Sequence, residues 1–211
     1  MDKKYKLTKD ITVVGDRVLY RIEAVTDFGD VKQGDRGGFI EGEHNLSQNG
    51  NAWVYSYARV YDNAIVCDNA KVFDNAQVWG NATVCGNAKI DNNAQVYGHA
   101  CVYDNACVCG NAMVRGYSRV YDNATVCEKA WVWGNVRIYG NATVCGTVWV
   151  CDNVCIYDNA IVCGTASVCN NTQVCGNKMI YTKRASKSLK WVVGVSSPLT
   201  HTPVTVNKYL G

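Results

Sequence analysis

The sequence predicts an all-β chain built as a parallel solenoid, and three observations predict it. Every sixth residue from Val54 to Ile180 is Val or Ile, 22 positions without a slip, eighteen of them Val. Four residues after each stands a small residue, Ala in fifteen of 21 cases; the exceptions are Ser118, Val136, Val148, Val154, Thr172 and Lys178. Asn fills the place just before the small residue fifteen times between Asn63 and Asn177. A strict internal period of this kind marks units that cannot bury their own apolar face and stack on their neighbours to do so.

The elements follow in chain order. Residues 1–50 read as an N-terminal β-hairpin cap and a connector. In ITVVGDRVLYRIEAV a turn signal at Gly15-Asp16 separates two β-rich runs, and Val18, Tyr20, Ile22 and Ala24 alternate with Arg17, Arg21 and Glu23. Residues 27–50 are rich in Gly, Asp and Asn and read as turns. Residues 51–180 are the array, with the unit x-V-x-D/G-N-A. Val points inward on a short strand and its two neighbours point outward. Asp or Gly followed by Asn makes the corner, because Asn tolerates and Gly accepts the left-handed backbone region. The small residue then re-enters the core. Residues 181–211 form a tail that should cap the other end, with Trp191-Val192-Val193 and Val204-Thr205-Val206 as its apolar runs. Open solenoid ends expose pairing edges, so both caps are expected from need.

These D/G-N-A hexads resemble the hexapeptide-repeat proteins, a family of single-stranded left-handed parallel β-helices. The resemblance covers about 130 residues. It implies a triangular prism with three hexads, 18 residues, per coil, and about seven coils, roughly 34 Å long at the strand spacing. The entry segment AVTDFGDVKQGDRGGFIEGEHNLSQNGNAWV also resembles that of uncharacterised bacterial and phage hexapeptide-repeat proteins, which are commonly called transferases.

With 18 residues per coil, outward positions form columns. One column runs Cys109, Cys127, Cys145, Cys163. Another holds Tyr61, Trp79, Tyr97, Arg115 and Trp133, beside Trp131 and Trp149. A third holds Tyr103, Tyr121, Tyr139 and Tyr157, beside Arg119 and Arg137. All twelve cysteines fall at outward positions. Like residues stacked on neighbouring strands support each other, and contiguous apolar patches mark partner contacts. Tyr103, Tyr121, Tyr139, Tyr157, Arg119, Arg137, Trp131, Trp133, Trp149 and Arg115 are therefore the candidate interaction surface. In-register stacking puts Cβ atoms near the roughly 4.8 Å strand spacing, wider than the roughly 3.8 Å of a relaxed disulfide. The cysteines are expected as thiols. No CxxC pair occurs, and no metal site is expected.

Net charge is +3. The tail contributes five basic residues (Lys183, Arg184, Lys187, Lys190, Lys208) and no acid, whereas the array is near neutral. Nucleic acid is not an expected partner. The lysines of MDKKYKLTKD have no apolar stretch behind them and no run reaches the roughly 18 apolar residues of a membrane span, so a cytoplasmic location is expected.

The resemblance implies a coenzyme A-dependent acyltransferase as one reading, with a His as general base near a loop and the cofactor between trimer subunits. His99, in QVYGHA, is the candidate base, yet it stands at an ordinary corner and no insertion interrupts Val54–Ile180. His44 and His201 are far apart in sequence. The three-His spacing of the family's zinc carbonic anhydrases and any phosphate-binding glycine motif are both missing. The leading expectation is a non-enzymatic, rigid interaction or structural module without a cofactor, of a kind found in phages or mobile elements, acting as a homo-oligomer or with a protein partner. The third reading is a small anionic ligand or nucleotide held between subunits by Arg119 and Arg137 beside Tyr121 and Tyr139.

Overall fold

The computed structural model describes residues 3–182 and the backbone of residues 193–196. The basic residues of the tail, His201 and the apolar run at Val204 lie outside the described residues. Three long strands open the chain: β1 (Tyr5–Val14), β2 (Arg17–Ala24) and β3 (Arg36–Ile40). β1 and β2 pair antiparallel through the turn at Gly15, which sits at φ +62°, and β2 pairs antiparallel with β3. From Trp53 onward the chain makes short strands, mostly of two residues, one per hexad. They stack as three parallel sheets, the faces of a β-solenoid. Face 1 continues from β3 through Arg59–Val60 to Ser167–Val168. Face 2 runs from Trp53–Val54 to Met179–Thr182, with Val193–Ser196 antiparallel along its last strand. Face 3 runs from Ile65–Val66 to Gln173–Val174.

From Trp53 onward the register is constant at 18 residues: Val96 pairs with Val114 on face 1, Ile90 with Val108 on face 2, Val102 with Val120 on face 3. Each rung donates to the next, as in Arg119 N to Val136 O (2.8 Å) and Tyr121 N to Ile138 O (3.0 Å). The Val/Ile register is fully buried from Val54 to Ile156, and the Ala register with it; Val136, Val148 and Val154 fill the same small-residue place without exposure. One buried Val side chain contributes roughly 1.5–3 kcal/mol, against roughly 1–2 kcal/mol of backbone entropy per ordered residue, so a single hexad is not self-supporting and the stack is.

The solenoid begins earlier than the period does. Ile40 pairs in parallel with Val60, and Leu46 with Val66, both at a separation of 20. Residues 36–46, which the sequence suggests are connector, thus form an additional first coil, giving about eight rather than seven. Two extra residues between Leu46 and Val54 break the period there and hide the coil from a six-residue template. Gly37 and Gly38 permit it: a Cβ on Gly37 would stand 2.6 Å from Ile22 and from the Val54 carbonyl, and one on Gly38 2.5 Å from the Ala58 carbonyl. The hairpin closes over this end. Tyr5 and Phe28 pack edge-on against Trp53, which is buried although it holds an outward strand place. Lys4 Nζ donates to the carbonyls of Gly50 (3.1 Å) and Ala52 (2.9 Å), and burial pulls its pKa down to about 8.

The corners divide their labour in a way the sequence does not reveal. The left-handed residue is the one before the corner Asn, mostly Asp or Gly, for example Asp62 (φ 58°), Asp104 (φ 56°) and Gly110 (φ +71°); at Asn170-Asn171 both residues are left-handed. Asp in that place accepts the amide of the coil above, as Gly80 N to Asp62 Oδ2 and Gly140 N to Asp122 Oδ2, both 3.0 Å. The Asn side chains instead bond to each other. Asn51, Asn69, Asn87, Asn105, Asn123, Asn141, Asn159 and Asn177 form one unbroken amide ladder at 3.1–3.2 Å per step. Asn105→Ala removes two of these bonds and should cost about 1–3 kcal/mol, whereas Asn177→Ala at the end of the ladder removes one and should cost about half as much. Urea unfolding of the two variants measures this; equal costs would mean that the ladder does not stabilise the stack.

Candidate functional site

No loop interrupts the array between Val54 and Ile180, so its outward surface consists of columns of residues from successive coils. Face 1 carries Trp79, Trp131, Trp133 and Trp149. Tyr61, Trp79 and Tyr97 stack with centroids 5.8 and 4.2 Å apart and planes within 4°. Higher up, Trp131 and Trp149 are register partners on adjacent strands, stacked at 5.8 Å, and Trp133 meets Trp149 edge-on at 5.9 Å. Arg115 lies over the Trp133 ring at 5.9 Å. The sequence-derived group Arg115, Trp131, Trp133 and Trp149 is thus brought together. Trp131 and Trp149 remain 39% and 49% exposed. At the N-terminal end the same face is covered, where Leu19, Phe39 and Tyr61 form a small buried cluster under the hairpin.

Face 3 carries the second group. Tyr103, Tyr121, Tyr139 and Tyr157 form a ladder with centroid steps of 4.9, 5.0 and 5.1 Å and planes within 4°. Burial pushes the Tyr103 and Tyr121 hydroxyls up from their usual pKa. Arg119 and Arg137 are register partners, both exposed. Neither makes an ion pair with a described residue. They line a shallow groove of about 410 Å³ with Tyr117, Asn135, Asn153 and Cys155. The two sequence-derived groups therefore lie on different faces.

Face 2 carries the longest column of thiols, and Cys67 and Cys85 stand on face 3. Cys109, Cys127, Cys145 and Cys163 follow Val108, Val126, Val144 and Val162, which pair rung to rung. Burial raises the Cys127 thiol to about 12 and the Cys107 and Cys85 thiols to about 11. The expectation that all twelve cysteines are thiols needs correction. On face 1 Cys151 and Cys169 form a disulfide, with Cα atoms 4.8 Å apart. Strand spacing fixes the Cα separation, and 4.8 Å lies inside the range a disulfide spans; side-chain rotation brings the sulfurs together. Two Cys–Asp–Cys groups, Cys67–Asp68–Cys85 and Cys151–Asp152–Cys169, each gather one donor atom per residue within 4.8 Å. In the second group the bridge has consumed both thiols.

His99 stands at a corner of the coil. Its exposed ring stacks on Tyr117 (4.8 Å, 6°), and among the described residues no carboxylate bonds to it. His44 is three coils away, with Nε2 2.7 Å from the Asp62 carbonyl. A polar groove there gathers Arg17, Glu41, His44 and Asp62. Arg17 Nη1 bonds Glu41 at 2.8 and 3.1 Å and its other nitrogen pairs with Asp62, while Glu41 accepts the Asp62 amide at 2.7 Å. This network fastens the hairpin to the first coils. Sequence reasoning missed it because its members come from three separate segments. The His99–Tyr117 stack could have been found by reading corner columns as well as strand columns.

Residues 94–110 and 136–152 match the family model described as the YdcK beta solenoid repeat. The matched stretches hold His99, Tyr103 and the Cys107–Cys109 pair, then Arg137, Tyr139 and Trp149. The similarity concerns the repeat and supports a β-solenoid. No protein of curated function matches the chain. Among the described residues no helix is long and apolar enough to cross a membrane.

The thiol columns set a pH dependence. A Cys whose pKa is raised by folding keeps its proton while the unfolded chain, near the ordinary value, loses it. Stability from these groups is therefore whole below about pH 8.5 and falls as pH rises towards 11 and 12. The unfolding midpoint of the chain should drop between pH 9 and 11. In Cys85→Ser/Cys107→Ser/Cys127→Ser that drop should shrink, and an unchanged profile would assign it to other groups.

Proposed function

We propose that the chain is a non-enzymatic, rigid interaction module that associates with a second copy of itself through face 1. The observation that carries this reading is the stacked pair Trp131–Trp149, half in water on a flat sheet. Trp is the residue most enriched at binding hot spots, and leaving such area wet forgoes roughly 25 cal/mol per Å². No carboxylate stands at the outward strand positions from Arg59 to Cys169 on this face, so a self-contact there desolvates no acid. The non-enzymatic part is supported by the unbroken coil from Val54 to Ile180 and by the setting of His99. Light scattering on a sizing column should give a multiple of the monomer mass under reducing conditions. Trp131→Ser/Trp149→Ser should weaken the self-association at least roughly tenfold, as expected for losing a hot spot. A wild-type monomer at tens of micromolar, or a variant that associates as well as the parent, would remove face 1 as the interface.

A second reading is favoured by one observation. Arg119 and Arg137 stand directly opposite each other, an arrangement that costs stability unless an anion lies between them. The groove beside them, with Tyr117 at its edge, suits a phosphate-bearing small molecule. Calorimetric titration with ATP as the probe should show binding that Arg119→Ala/Arg137→Ala abolishes; equal affinity in parent and variant would retire the reading.

A further inference from the structure

The bridge Cys151–Cys169 joins the same hexad position on neighbouring coils, one register step apart. The chain repeats that relation elsewhere with thiols. Cys67 and Cys85 follow the paired residues Val66 and Val84, and their sulfurs lie within 4.8 Å of each other. On face 2 the amides of Cys109, Cys127 and Cys145 donate to Val126, Val144 and Val162 at 2.9 Å, which holds each rung in step with the next. Cys145 stands one register step from both Cys127 and Cys163, because Val144 before it pairs with Val126 and with Val162. All of these thiols are half-buried on the outer surface, within reach of a small reagent.

We propose that the Cys67–Cys85 pair and the Cys109–Cys127–Cys145–Cys163 column are sites of reversible disulfide formation that staple each coil to the next, with a glutathione-type organic disulfide as oxidant. A thiolate, for instance at Cys127, attacks one sulfur of the oxidant and expels a glutathione thiolate, leaving a mixed disulfide. The thiolate of its neighbour Cys109 attacks the Cys127 sulfur and expels the second glutathione. One S–S bond forms in the protein, one is lost from the oxidant, and the two thiol protons end on two glutathione thiols. Of the ways to pair four thiols in a line, Cys109–Cys127 with Cys145–Cys163 uses all of them. A Cys127–Cys145 bridge would strand the outer two roughly 14 Å apart, three strand spacings. That bridge can still relax, since the Cys109 thiolate can displace Cys145 from Cys127 and free it to pair with Cys163. Thiols held above their ordinary pKa react slowly at neutral pH, so stapling should accelerate with pH. Each staple closes a loop of one coil whose ends the fold already holds together, and it suppresses the separation of neighbouring coils by which a solenoid frays.

The test uses the full chain, fully reduced and refolded, then incubated with oxidised glutathione at pH 8.5 and quenched by alkylation. Digestion with trypsin, chymotrypsin and an Asp-specific protease, followed by mass spectrometry with backbone fragmentation to separate Cys107 from Cys109 and Cys163 from Cys169, reads the links. The expected result is Cys67–Cys85, Cys109–Cys127 and Cys145–Cys163 beside Cys151–Cys169, with a thermal midpoint raised by at least roughly 5 °C. Cys127→Ser/Cys145→Ser should keep the Cys67–Cys85 link and form none within the face 2 column. Single glutathionylated cysteines as end products, links between chains, links to Cys107, or a midpoint that rises equally in the variant would overturn the proposal.

Discussion

The array from Trp53 onward depends on one constraint: each coil must lie on the next with a register of 18 residues. The ladder hydrogen bonds that enforce it are ordinary parallel-sheet bonds, three short sets per coil. Two-residue strands could not pair stably alone. They hold because the coil that supplies one strand supplies the other two, so a slip on one face would break all three. A slip would also move Val out of the core and bring outward residues into it, since strand side chains alternate. The buried Val/Ile and Ala registers are therefore both a result of the stack and the reason it cannot shift.

The same constraint turns the sequence into a map of surfaces. Any residue type repeated at 18 becomes a column, and the chemistry of the column follows from its type. Asn gives an amide ladder at a corner, Tyr a ring stack on face 3, Cys a line of thiols on face 2, and Trp a patch on face 1. The arrangement is suited to presenting flat, regular surfaces, and the contacts we propose fall on two of its columns, at the Trp131–Trp149 pair and the Arg119–Arg137 pair.

How much of this could be read from the sequence varies with how local the cause is. The array from Val54 to Ile180 and the stacking of Tyr103 on Tyr121 or Trp131 on Trp149 follow from period alone. The coil at Ile40 and Leu46 does not, because two extra residues break the spacing and Gly37-Gly38 imitates a turn while serving a close approach. The roles of Asp and Asn at the corners were not separable, since both tolerate left-handed backbone; only the structure shows Asp62 in that conformation and Asn63 bonded to Asn81. Trp53 holds an outward place in the pattern, yet the hairpin arriving from residues 5–24 buries it. The Cys151–Cys169 bridge was hidden for a similar reason: strand spacing locates backbones, and sulfur positions depend on rotamers.

The most direct test of the account is a pair of internal deletions. Removing residues 105–122 takes out one whole coil and joins Asp104 to Asn123, leaving every column continuous. Removing residues 105–121 takes out one residue fewer and puts everything after the junction out of step. If the 18-residue register is the constraint on which the structure depends, the first protein unfolds cooperatively with a circular-dichroism spectrum like the parent's, and the second does not fold. Two equally well folded proteins, or two that both fail, would contradict it.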